Sequence, residues 1–99
     1  MAKRRVFKYI ISWLGSMFEV IVVEDKDDIR ILVSYLPEYV YQIEYRLRDG
    51  RESLQISTAV TGGEILDRDL IDDFLRNLNE MFNECVVLGE EESEEETTE

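Results

Sequence analysis

Residues 6–23 read VFKYIISWLGSMFEVIVV and follow the basic start MAKRR. How this apolar run is read decides the fold, because it could serve as a membrane span, a signal segment or a soluble core element. A spanning helix needs about 20 predominantly apolar residues. Here Lys8 and Glu19 confine the largely apolar part to residues 10–18, and Gly15 and Ser16 interrupt it. The basic KRR suits a signal peptide, but no small-x-small cleavage site follows. Phe7, Ile10, Ile11 and Leu14 also recur at helical spacing, so a helix over residues 6–14 is the competing reading. A hairpin accounts for more of the residues. Gly15-Ser16 fits a two-residue type II′ turn. Folding there sets Leu14 against Met17, Trp13 against Phe18, Ile11 against Val20 and Tyr9 against Val22, with Ser12 against Glu19 on the opposite face. A one-residue slip would turn the apolar set to the wrong side, which specifies the register.

Working outward, EDKDD makes a charged turn and IRILVSYL (29–36) returns as a third strand, pairing Val22 with Ile31, Val20 with Val33 and Phe18 with Tyr35. Pro37 ends it, because proline cannot donate to a ladder. Asp49-Gly50 then predicts a second tight hairpin within residues 39–60. Closing it places Tyr45 opposite Leu54, Ile43 opposite Ile56 and Tyr41 opposite Thr58, with Glu44–Gln55 and Gln42–Ser57 on the other face. Thr61 and Glu64 have the spacing of a capping box. From Ile65 the period becomes helical, with Leu66, Leu70, Phe74, Leu78 and Met81 in one stripe flanked by Ile71, Leu75 and Phe82. CVVLG reads as a short strand or a helix exit. The expectation is an α+β fold: an antiparallel five-stranded meander with one C-terminal amphipathic helix.

Ninety-nine residues allow one core, placed here at residues 1–88. With 23 Asp and Glu against 11 Lys and Arg the net charge is −12, and the final EEESEEETTE holds seven of the acids. Without that segment 16 acids face 11 bases, a net of −5. A block of like charges with no apolar residue does not repay ordering entropy, so 89–99 reads as a disordered acidic tail carrying Glu90, Glu91, Glu92, Glu94, Glu95 and Glu96.

The composition excludes several chemistries. There is no His, which removes Ser-His-Asp and Cys-His nucleophiles and imidazole metal ligands. A single cysteine, Cys85, excludes an intrachain disulfide and a cysteine zinc site; it reads as a small buried hydrophobe and fits a reducing compartment. The acidic balance opposes binding to a nucleic-acid backbone or to anionic lipid, and Tyr35, Tyr39, Tyr41 and Tyr45 read as packing rather than a base-stacking platform. Lys3, Arg4 and Arg5 read as a solubilising flank. Asp69 and Asp73 share a helix face and are the candidate ligands for a hard cation, against ordinary ion pairs of Arg68 with Asp72 and Asp72 with Arg76. On the outward sheet face Ile10, Ile21 and Leu32 would lie side by side with Val40 near them, a stripe that a second copy of the chain would cover unless the sheet curls over it.

From MAKRRVFKYIISWLG through to the Glu tail, the chain resembles the small proteins of unknown activity encoded by filamentous viruses of hyperthermophilic, acid-loving archaea, the lipothrixviruses and rudiviruses. The resemblance implies an intracellular viral protein, cytoplasmic in its host, that resists heat and acid. Plentiful charge with few Asn, Gln and Cys agrees with it. Taken together, the expectation is a non-enzymatic, cofactor-free, homodimeric acidic module that binds a basic host protein, in one version by mimicking nucleic-acid charge. The alternatives are a carboxylate-based, metal-dependent enzyme around Asp69 and Asp73, and a structural component of a virion or complex.

Overall fold

The computed structural model describes residues 2–36, 41–58 and 61–97. In chain order the elements are β1 (Ala2–Trp13), β2 (Ser16–Asp25), β3 (Asp28–Tyr35), β4 (Tyr41–Arg48), β5 (Arg51–Thr58), β6 (Gly62–Ile65), α1 (Arg68–Glu84) and β7 (Val86–Thr97). All seven strands join one antiparallel sheet in the order β6-β5-β4-β3-β2-β1-β7. The expected five-stranded meander with a disordered tail is therefore corrected. Strands β1 to β5 are the meander, and a further strand is added at each edge.

The hairpins follow the hydrophobic pattern. Val20↔Val33, Val22↔Ile31 and Phe18↔Tyr35 pair as expected between β2 and β3, and Tyr45↔Leu54, Ile43↔Ile56 and Tyr41↔Thr58 between β4 and β5. The first hairpin departs from expectation. Its turn residues are Leu14 and Gly15, both at positive φ (50° and 79°), which is type I′ geometry rather than type II′ about Gly15-Ser16. Ile11 consequently faces Phe18, Tyr9 faces Val20 and Ser12 faces Met17. Each residue of β1 thus meets the one two places earlier in β2 than expected, and a two-residue offset leaves every side chain on its expected face. That is why the core prediction survives the register error.

Residues 62–65, expected as a capping segment, form β6 against β5, with Leu54 opposite Ile65 and Ile56 opposite Gly63. The helix instead starts at Asp67, whose carboxylate accepts from the backbone N–H of Asp69 at 2.9 Å and of Leu70 at 3.3 Å. An N-cap of this kind satisfies donors that have no intrahelical partner. The 17-residue helix lies across one face of the sheet. Its first half sets Ile71, Phe74 and Leu75 against Tyr45, Leu54 and Ile43. Its second half sets Leu78 and Met81 against Ile11, Val20 and Val33, with Cys85 packed at the end of this cluster. Ile31 touches both groups, so the two make one continuous layer. α1 thereby carries the chain from the β6 edge to the β1 edge, where β7 begins.

Candidate functional site

The charges of the sequence meet at the β1–β7 edge. β7 runs antiparallel to β1, with Ala2 opposite Thr97 and Ser12 opposite Val86. This sets the basic start of β1 beside the glutamates and the apolar end of β1 beside residues 86–88. Arg4 hydrogen-bonds and ion-pairs with Glu95, Arg5 contacts Glu92 at 3.0 Å, and Lys3 lies 3.8 Å from Glu94. The bond from Glu95 raises the pKa of Arg4, and the bond from Glu92 does the same for Arg5, so both cations are held charged. Arg5 also lies over the ring of Phe7, 5.0 Å from its centroid.

The tail expected to be disordered is therefore a strand over residues 89–97. Counting it as an isolated block of like charge omitted its complement, which lies 87 residues earlier for Arg5 with Glu92 and 91 earlier for Arg4 with Glu95. Backbone pairing with β1 and the facing cations supply the ordering energy that the tail lacks alone. Glu90 and Glu91 make no ion pair with a described residue, whereas Glu92, Glu94 and Glu95 are engaged by β1; Glu96 lies opposite Lys3 in the register. A bulge opposite Ile10 and Ile11 leaves Leu88 as the extra residue of β7. Val86, Val87 and Leu88 are exposed.

The outward stripe is arranged differently from expectation in part. Ile21 and Leu32 do stand directly opposite one another. Ile10 stands opposite Glu19 on one side and Gly89 on the other, and Val40 lies outside the described residues. All three isoleucine and leucine side chains are half-buried. Polar neighbours close around them: Glu19 is buried and lies 3.4 Å from Lys8, and Ser34 is buried and accepts a hydrogen bond from Gln42 at 3.2 Å.

On the helix, Asp73 is held by Arg76 at 2.6 Å and Arg68 by Asp72 at 2.6 Å; the expected Asp72–Arg76 pair is replaced by Asp73–Arg76. Asp69 lies in the first turn. No group of three or more potential metal ligands gathers among the described residues. The described tyrosines of β3 and β4 differ in exposure, with Tyr35 and Tyr41 exposed. Tyr45 is buried, stacked on Phe74 and donates to Glu52 at 2.5 Å, while Tyr35 packs edge-on against Phe18. Burial, and next the bond to Glu52, push the Tyr45 phenol up to about 12. Arg68, then Tyr45, hold the Glu52 carboxyl below the usual range. Tyr39 lies outside the described residues.

Among the described residues, no helix is long and apolar enough to cross a membrane. No protein-family model matches the chain, and neither a curated protein nor a solved structure is similar to it at a significant level.

Proposed function

We propose that the chain is a non-enzymatic acidic binding module whose β7 edge takes an extended basic segment of a partner protein as an additional strand. The observation that supports this most is the in-chain pairing of β7 with β1. β1 is a strand that is basic in its first part (Lys3, Arg4, Arg5, Lys8) and apolar in its second (Ile10, Ile11), and it lies antiparallel to β7. The other edge of β7 offers the same template, since β7 ends the sheet. It has the free carboxylates of Glu90 and Glu91 and the exposed side chains of residues 86–88. Strand addition draws affinity from main-chain hydrogen bonds and selectivity from alternating side chains. The glutamates also oppose pairing of β7 with a second β7, because like charges would face each other. A host factor with a basic arm suits the resemblance to archaeal viral proteins, and an intracellular site of action follows from the same reading. Self-association through Ile21 and Leu32 on the open face is the second reading, favoured by their direct opposition across β2 and β3.

A fluorescent ten-residue peptide, basic then apolar in the manner of β1, tests the proposal by anisotropy at low and high salt. Binding that weakens at least tenfold at high salt, and again in Glu90→Gln/Glu91→Gln, is expected. Neither carboxylate makes an ion pair with a described residue, and glutamine sets no like charge against Lys8, which faces Glu91, so the variant keeps its fold. Equal binding of a peptide with the order of basic and apolar halves reversed would remove the strand-addition reading. Sedimentation of the parent and of Ile21→Lys reports on the dimer independently.

A further inference from the structure

Among the described residues, eight of the eleven cations make an ion pair, and Lys26, Arg46 and Arg51 do not. In a chain with twice as many acids as bases, two unpaired arginines in one place need a reason. Arg46 and Arg51 line the same cleft, of about 660 Å³, on the outward side of the β4–β5 hairpin. The register brings like charges face to face there: Arg48 lies opposite Arg51, and Arg46 lies opposite Arg30 on its other side. Directly opposed like charges destabilise a sheet. Arg30 is relieved by Glu44 through two bonds at 3.2 and 3.3 Å, and Arg48 has a long contact of 3.9 Å to Asp28. Arg46 has no such relief, and its Nε is buried without a hydrogen-bond partner. A buried guanidinium N–H left unsatisfied is costly.

We propose that this cleft binds a compact phosphate, such as pyrophosphate, between Arg46, Arg48, Arg51 and the hydroxyl of Ser53, which lies opposite Arg46. Guanidinium forks match the oxygens of phosphate and carboxylate alike. Three of them with a hydroxyl present more donors than one carboxylate can accept, so the multiply charged phosphate is the better fit. The lining contains no aromatic ring and one apolar side chain, Leu66, so a nucleotide base finds no stacking surface. The Glu52 carboxylate does not oppose the anion, because it is already held by Arg68 at 2.6 Å and Tyr45. Glu64 and Asp49 also line the cleft, and they limit the affinity. Strands β1, β2 and β3 separate this hairpin from β7, so the site is independent of the strand-binding edge.

Calorimetric titration of the full chain with pyrophosphate, at ionic strength matched with sodium chloride, tests the site. One-to-one binding is expected, weakened at least tenfold in Arg46→Gln/Arg51→Gln and strengthened in Glu64→Gln. Arg46→Gln removes an opposed charge pair, so this variant melts no lower than the parent in the absence of pyrophosphate. Arg51→Gln alone, at an exposed position, repeats the affinity test with less change to the sheet. Glucose 6-phosphate in a parallel titration separates a free phosphate from one carried on a larger molecule, and binding of either supports the site. Heat no greater than that of chloride, or undiminished binding in both arginine variants, would overturn it.

Discussion

The β2–β3 pair and the β1–β7 pair are both antiparallel ladders, yet they are held by opposite means. Between β2 and β3, Val20 meets Val33 and Val22 meets Ile31 on the helix side, and Ile21 meets Leu32 on the other, so apolar pairs hold the middle of the ladder on both faces. Between β1 and β7, Arg4 meets Glu95, Arg5 meets Glu94 and Lys8 meets Glu91. Burial of apolar surface is non-directional and nearly indifferent to salt, whereas exposed ion pairs contribute modestly and are screened within about 10 Å at 0.1 M salt. The centre of the sheet is therefore unconditional and the β7 edge conditional. A conditional edge is the one suited to exchange its contacts with a partner.

The largest break in that contrast comes from the core. Val20 is fully buried beneath Met81, and Val20→Ala should destabilise the whole domain by about 2 kcal/mol, from lost burial and the cavity left behind. Urea unfolding in low and high salt should show the same loss in both; a loss that shrinks with salt would contradict the apolar account. Next in size is charge reversal at the edge. Arg4→Glu with Arg5→Glu replaces attraction with like-charge opposition and should weaken the β1–β7 pairing by less than the core substitution weakens the domain. Amide hydrogen exchange should quicken in β7 and stay unchanged in β2 and β3, and high salt should reduce the difference between variant and parent. Uniform acceleration across the sheet would show that the edge is not an independent unit.

The smallest effect separates the buried polar contact under the helix from the exposed ones at the edge. The Tyr45 phenol is raised from about 10 in the unfolded chain to about 12 in the fold. Its contribution is fully present below pH 10 and is lost as pH rises through about 12. Tyr45→Phe keeps the stacking on Phe74, costs about 1 kcal/mol near neutrality through the lost bond to Glu52, and should flatten the alkaline fall in stability between pH 10 and 12. On the acid side Glu52 has a depressed pKa, so its contribution is present above the ordinary carboxylate range and fades as pH falls through the lowered value. Denaturation midpoints across both ranges, for parent and variant, check the two limbs.

How far each element was legible depends on how local its determinant is. Asp49-Gly50 fixes the β4–β5 turn within four residues, and its pairs appear as expected. The first turn was misplaced because Leu14 takes a left-handed conformation (φ 50°) that leucine rarely adopts. β6 was missed because two glycines carry no periodic signal and obtain their strand conformation from the β5 edge. The β7 edge was missed for a different reason, since KRR and EEESEEE were each read as solvated blocks although their charges are complementary. The arginine cleft had a signal too: in RLRDGR, Arg46 and Arg48 alternate onto one face, and the Asp49-Gly50 turn brings Arg51 beside them.

The sequence by itself determined the order of the meander strands, the β4–β5 turn, the inward face of the meander strands and the amphipathic helix, because period-2 and period-3.6 patterns and turn residues act over a few positions. Tertiary structure alone decided the two outer strands and the gathering of arginines on an acidic protein. Those features rest on partners distant in the chain, and neither a charge nor a strand edge has a fixed conformation until the other half of its contact is in place.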